Sequence, residues 1–115
     1  MKYRHYAPAG ALTIVQGGED AVAETIRRLY DEALSAGRQP LILALEGHLP
    51  AYGGRQALSL GADAAGMAHA LFRRLREADD LGADAIFSEA VSTDGVGLAV
   101  MNRLGRAAAF NIIEV

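Results

Sequence analysis

The run from Pro40 to Glu46, PLILALE, is apolar at almost every position. Side chains of a strand alternate between two faces, so a run that is apolar at both parities needs cover on both sides. The neighbouring segments supply that cover. Residues 11–16 (ALTIVQ) form another short apolar run that ends at Gly17-Gly18, which reads as a strand and a turn. Glu19 and Asp20 then open a helix, their charges at its positive end. Val22, Ile26, Leu29, Tyr30 and Ala33 share one face of it, and Gly37 is the expected stop. His48 to Arg55 contains Pro50, Gly53 and Gly54 and reads as a loop, followed by a weak strand over residues 56–61. Asp63 is the expected cap of a second helix whose inner face carries Met67, Ala68, Leu71, Phe72 and Leu75. Residues 84–90 read as a strand and 92–97 as a loop. A third helix starts at Val96 or Gly97, with Leu98, Met101, Leu104 and Ala108 in one stripe. Residues 110–115 read as the last strand.

The order β-α-β-β-α-β-α-β predicts an α/β fold of three α/β/α layers. It has about five mostly parallel strands, three helices and right-handed crossovers. At 115 residues this is one domain. The net charge of −3, from 11 cations and 14 acids, argues against broad polyanion binding by its body. The absence of cysteine excludes disulfides and thiolate metal sites. No leader-like segment or span of ~20 apolar residues is present, so the sequence reads as a soluble, cytoplasmic protein with no membrane partner.

The body offers few chemical constellations. The loop Ser92-Thr93-Asp94-Gly95-Val96-Gly97 joins a strand to a helix. Its glycines and the helix start could take an anion, with Asn102 and Arg103 close behind. The alternative is a tight turn in which Gly97 serves close packing. The third glycine of a dinucleotide fingerprint is missing, and the loop follows the fourth strand instead of the first. Glu46, His48 and His69 form the one metal-like set, but it lacks a fixed third ligand, so no metal is expected. Ser59, Ser88 and Ser92 have no nucleophile-elbow context. Arg73, Arg74 and Arg76 are followed at once by Glu77, Asp79 and Asp80, as on a solvated mixed face. Nothing in residues 11–115 assembles a nucleophile, a base and an oxyanion donor.

The first eight residues differ from the rest. Lys2, Tyr3, Arg4, His5 and Tyr6 pack two cations, two phenols and an imidazole ahead of Pro8, with no periodic apolar pattern. These side chains suit phosphates, carboxylates and flat rings. Pro8 stiffens the exit by holding Ala7 extended.

Two blocks carry a family resemblance. The segment Lys2-Tyr3-Arg4-His5-Tyr6-Ala7-Pro8 resembles the interdomain linker of the long, two-domain L-threonylcarbamoyladenylate synthases, which are YrdC-related translation factors. Leu71-Phe72-x-x-Leu75-x-x-x-Asp79, together with residues 94–104 (DGVGLAVMNRL) and Ala107-Ala108, is similar to the same family's C-terminal domain. The resemblance covers essentially the whole chain. It implies a linker-like arm over residues 1–10 and a Rossmann-like C-terminal domain over residues 11–115. Such enzymes make threonylcarbamoyl-AMP from threonine, bicarbonate and ATP for tRNA modification, and catalysis belongs to an N-terminal YrdC-like domain. By that similarity Lys2, Tyr3, Arg4, His5 and Tyr6 would close the active site as a lid. The partner would be a YrdC-like domain in cis or in trans. ATP and Mg would belong to the full enzyme, and this chain alone would bind no cofactor. No direct tRNA contact is expected, and self-association is left open. Met1 stands where the family's linker continues upstream. The expectation is therefore a fragment, a truncated product or a separately encoded domain, inactive alone. The rival expectations are a stand-alone nucleotide- or anion-binding module and a protein-docking domain.

Overall fold

The computed structural model describes residues 6–115. The elements are β1 (Ala11–Gln16), α1 (Glu19–Ser35), β2 (Pro40–Ala44), a 3-10 segment (Glu46–Tyr52), β3 (Ala57–Ser59), α2 (Ala64–Asp80), β4 (Ala85–Glu89), α3 (Val96–Ala107) and β5 (Ile112–Glu114). All strand pairs are parallel, in the order β3-β2-β4-β1-β5. From β1 to β2 the chain passes over β4 in one direction. From β3 to β4, and again from β4 to β5, it travels in the other. Right-handed crossovers therefore place α1 on one face and α2 and α3 on the opposite face.

The core divides accordingly. Leu12, Ile14, Leu41, Leu43 and Ile86 meet Met67, Leu71 and Leu75 of α2 and Val100 and Leu104 of α3. Val15, Ile42, Ala44, Ala85 and Phe87 meet Val22, Ile26 and Tyr30 of α1, with Tyr52 from the 3-10 segment. Odd and even positions of each central strand thus serve different cores, which is why β2 and β4 are buried along their whole length. Each fully buried aliphatic side chain contributes about 1.5–3 kcal/mol. No helix among the described residues is long and apolar enough to cross a membrane.

Several local expectations hold. Asp63 caps α2 by accepting from the Gly66 N–H at 2.9 Å. Glu19 and Asp20 occupy the first turn of α1. Three expectations need correction. Residues 46–52, of which Glu46 was expected to end a strand and 48–52 to be loop, wind into a 3-10 segment that bridges two adjacent parallel strands. The last strand is shorter than residues 110–115, because Ala109 (φ 53°) and Phe110 (φ 60°) turn the chain through left-handed backbone first. The buried stripe of α3 is Gly97, Val100, Leu104 and Gly105. Leu98 is 53% exposed, so it does not lie in the core. The glycines are the cause. A Cβ on Gly97 would lie 1.8 Å from the Ser92 carbonyl oxygen, so the helix turns its smallest face inward to pack closely.

Candidate functional site

β1 and β4 lie side by side, yet the chain leaves β1 for α1 and leaves β4 for α3, on opposite faces. Their carboxyl ends therefore diverge, and an open α/β sheet forms its crevice at such a switch point. A cleft of about 130 Å³ sits there, lined by Gln16 at the end of β1, Gly17 and Glu19 just after it, Glu89 and Ala90 at the end of β4, and His48 from the 3-10 segment. A second cleft, of about 180 Å³, adjoins it through Glu19, His48 and Glu89 and adds Asp20, Arg27 and Ala51.

Glu89 is the centre of this edge. It follows Ala85 and Phe87 on the α1 face of β4, so the strand's alternation turns its side chain inward, and it is only 4% exposed. Glu89 Oε1 accepts from the Leu45 N–H at 2.9 Å and from His48 Nδ1 at 2.8 Å, while Oε2 accepts from the Tyr52 hydroxyl at 2.6 Å. All three donors come from residues 45–52, so one carboxylate fastens the whole 3-10 segment over the sheet. Among the described residues no buried polar side-chain atom lacks a partner. His48 Nδ1 meets an acceptor, so its N–H points at Glu89 and Nε2 is left facing Glu19 Oε2 at 3.5 Å. The hydrogen bond to Glu89 holds the imidazole pKa above its usual value, helped by the charges of Glu89 and Glu19 and opposed by desolvation. Burial, and then the bond to Glu89, push the Tyr52 phenol far up.

The amino edge of the sheet has its own polar cluster. Asp79, at the end of α2, accepts from the Tyr6 hydroxyl through Oδ2 and from the Ala9 N–H through Oδ1 at 2.8 Å. The Tyr6 ring is half-buried against the core shared by α2 and α3, and Pro8 is buried between the two bonds. The bond to Asp79, then desolvation, push the Tyr6 phenol up to about 12. β1 separates this cluster from the crevice, and six residues of strand rise roughly 20 Å.

Residues 1–109 match the family model described as threonylcarbamoyl-AMP synthase, C-terminal domain. The chain belongs to this family. The threonylcarbamoyl-AMP synthase of Pyrococcus abyssi is 36% identical over 115 residues, covering 100% of this chain and 33% of that protein. The Bacillus subtilis threonylcarbamoyl-AMP synthase is 36% identical over 116 residues, covering 99% and 32%. The crystal structure of P. abyssi Sua5 complexed with L-threonine superposes with a TM-score of 0.87 at 36% identity, covering 100% of this chain and 33% of that one. The C-terminal Sua5 domain of a Pyrococcus horikoshii protein gives a TM-score of 0.73 at 29% identity, covering 95% and 100%. This chain thus spans about a third of the length of the curated relatives it matches.

Within this threonylcarbamoyl-AMP synthase domain the expected site residues fall in separate places. Lys2, Tyr3, Arg4 and His5 lie outside the described residues. Tyr6 sits at the amino edge on Asp79. Gly95 (φ 57°) is the N-cap of α3, Gly97 is buried beneath the Ser92 carbonyl, and Asn102 and Arg103 are exposed on α3. None of these four lines either cleft beside Glu89. The Ser92 hydroxyl donates to Asp94 Oδ2 at 2.9 Å and accepts from the Asp94 N–H at 3.2 Å, which closes that loop locally. Glu46 and His69 are exposed, and no group of three or more acidic, histidine or cysteine side chains among the described residues could hold a metal ion. Arg74 donates to the Ser59 carbonyl at 2.6 Å and pairs with Glu77 at 2.5 Å, so it ties α2 to β3.

Sequence reasoning missed Glu89 and Tyr52. It placed Glu89 in a strand and went no further. The available signal was a carboxylate at an inward parity of a strand that is otherwise apolar on that face.

Proposed function

We propose that this chain is the arm and C-terminal support unit of a threonylcarbamoyl-AMP synthase, without catalytic activity alone. In this reading residues 1–10 are the arm and residues 11–115 the domain that carries it. Lys2, Tyr3, Arg4 and His5 act with a YrdC-like catalytic domain, in cis or in trans, and Tyr6, held on Asp79, anchors them. There they would help close a site holding ATP, Mg, threonine and bicarbonate. Their chemistry suits that task, since cations and phenols hold phosphate and carboxylate groups, and a cover limits water access to a labile adenylate. The observation that carries the reading is the extent of the family match, which begins at residue 1 and so includes the arm with the domain.

The test adds a YrdC-like catalytic domain and follows threonylcarbamoyl-AMP. Arg4→Ala or Tyr3→Ala should lower synthesis roughly 10-fold or more, because a misplaced cover costs orientation, while thermal unfolding of this chain stays nearly unchanged. Equal damage to folding would assign those residues to the domain's own stability. The purified chain with ATP, threonine and bicarbonate should release no pyrophosphate above blank, and robust turnover would refute the reading.

A second reading starts from the crevice at the switch point. A stand-alone module would hold a nucleotide or another anion there or at the Gly95–Gly97 helix start. Glu19, Asp20 and Glu89 make the crevice itself a poor anion site. Calorimetric titration with ATP and AMP separates the readings, because saturable binding that survives deletion of residues 1–8 supports the module.

A further inference from the structure

We propose that Asp79 is a positioning residue for synthesis, a clip that fixes where the arm leaves the fold. The proposal rests on the arm being a cover for a catalytic domain. Asp79 stands one residue from the end of α2, whose last turn holds no basic residue. A carboxylate there faces the negative end of the helix macrodipole, which is unfavourable. Local helix chemistry therefore does not explain an acid at this position, whereas its two tertiary bonds do.

Those bonds reach 73 and 70 residues along the chain, to the Tyr6 hydroxyl and the Ala9 N–H. They bracket Pro8, which is buried and has a fixed φ, so the four residues 6–9 are held at both ends around a stiff centre. Immediately after them Gly10 runs hard against the turn before β4, where a Cβ would lie 2.3 Å from the Ala83 carbonyl oxygen. The path from Tyr6 into β1 thus has little freedom. Asp79 holds Tyr6, the first described residue, at the edge of the sheet opposite the crevice. This also gives a physical role to the acid that closes the Leu71-Phe72-x-x-Leu75-x-x-x-Asp79 block.

Two readouts test the clip. The first uses this chain alone and follows tyrosine ring carbons by NMR through alkaline titration, with Tyr6 assigned by its loss in Tyr6→Phe. The wild-type phenol should titrate near 12, and in Asp79→Asn or Asp79→Ala it should fall toward the ordinary value. An unmoved titration overturns the clip. The second readout adds a YrdC-like catalytic domain and measures synthesis. Asp79→Ala and Tyr6→Phe should each lower it roughly 10-fold. The double variant should be little worse than either single one, as for two groups acting through one contact. Asp79→Asn keeps the shape and gives a folded variant if Asp79→Ala does not fold. If both Asp79 variants shift the phenol but leave synthesis at wild-type level while Arg4→Ala impairs it, Asp79 is structural and the proposal fails alone. If Arg4→Ala is silent as well, the underlying reading of the arm has failed with it.

Discussion

The two edges of the sheet each use a carboxylate to capture a tyrosine, and they do so under opposite conditions. At the carboxyl edge Glu89 is buried and takes three donors from one continuous segment, residues 45–52. At the amino edge Asp79 is half-buried and takes two donors from the segment that joins the arm to β1. Removing an acceptor from dry surroundings leaves several donors without partners, whereas solvent replaces most of what is lost near the surface. The comparison teaches that burial, more than the number of bonds, separates a fastening of the fold from a tie of small energetic weight. The first fastens the 3-10 segment to the sheet, and the second holds the segment that leads into β1.

The comparison can be broken most directly at Glu89. Glu89→Ala should lower the unfolding free energy by about 3 kcal/mol, since it strands the Leu45 N–H, the Tyr52 hydroxyl and His48 Nδ1 together. Urea titration of the purified chain measures this, and a loss below about 1 kcal/mol would put Glu89 on the same footing as a surface acid.

A smaller effect is expected at His48. His48→Ala should cost about 1–2 kcal/mol at pH 6, because one of three donors to Glu89 is lost. The folded-state pKa of His48 is raised above its ordinary 6.5. The stabilisation from its charge is therefore fully present below about pH 6.5 and fades as pH climbs through the raised value. The gap between wild type and His48→Ala should narrow over that interval and keep only the part due to the neutral ring's bond to Glu89. Paired urea titrations from pH 5 to 9 follow it, and a gap that widens with pH would reverse the assignment.

The smallest effect belongs to the amino edge. Tyr6→Phe should change stability at pH 7 by less than about 1 kcal/mol, as for exposed polar pairs. Because the phenol's folded value is about 12 against an ordinary 10.0, its contribution is complete below pH 10 and disappears as pH rises through 12. Thermal scans of Tyr6→Phe beside wild type at pH 7 measure the difference, and a loss matching that of Glu89→Ala would erase the contrast between the edges.

Much of the architecture was legible because it follows from short-range patterns. The double-parity apolar run of β2 called for helices on both faces, and Asp63 and the Glu19-Asp20 pair marked helix starts by local chemistry. α3 was legible as a helix but not in its rotation. Leu98 outranks Gly97 in hydrophobicity, yet close approach to the Ser92 carbonyl selects the glycine face. The arm was legible as a distinct segment by composition, whereas the attachment of Tyr6 to Asp79 was not, since nothing local links positions so far apart.

Sequence by itself determined the alternation of elements, the two-sided burial of the central strands and, through its two motif blocks, the family. Tertiary structure alone decided the order β3-β2-β4-β1-β5, the gathering of Leu45, His48 and Tyr52 on Glu89, and the capture of Tyr6 by Asp79. The physical reason is range. Side-chain periodicity is set by backbone geometry over a few residues, whereas a carboxylate meets donors 37 to 73 residues away only after the crossovers have fixed which strand ends are neighbours.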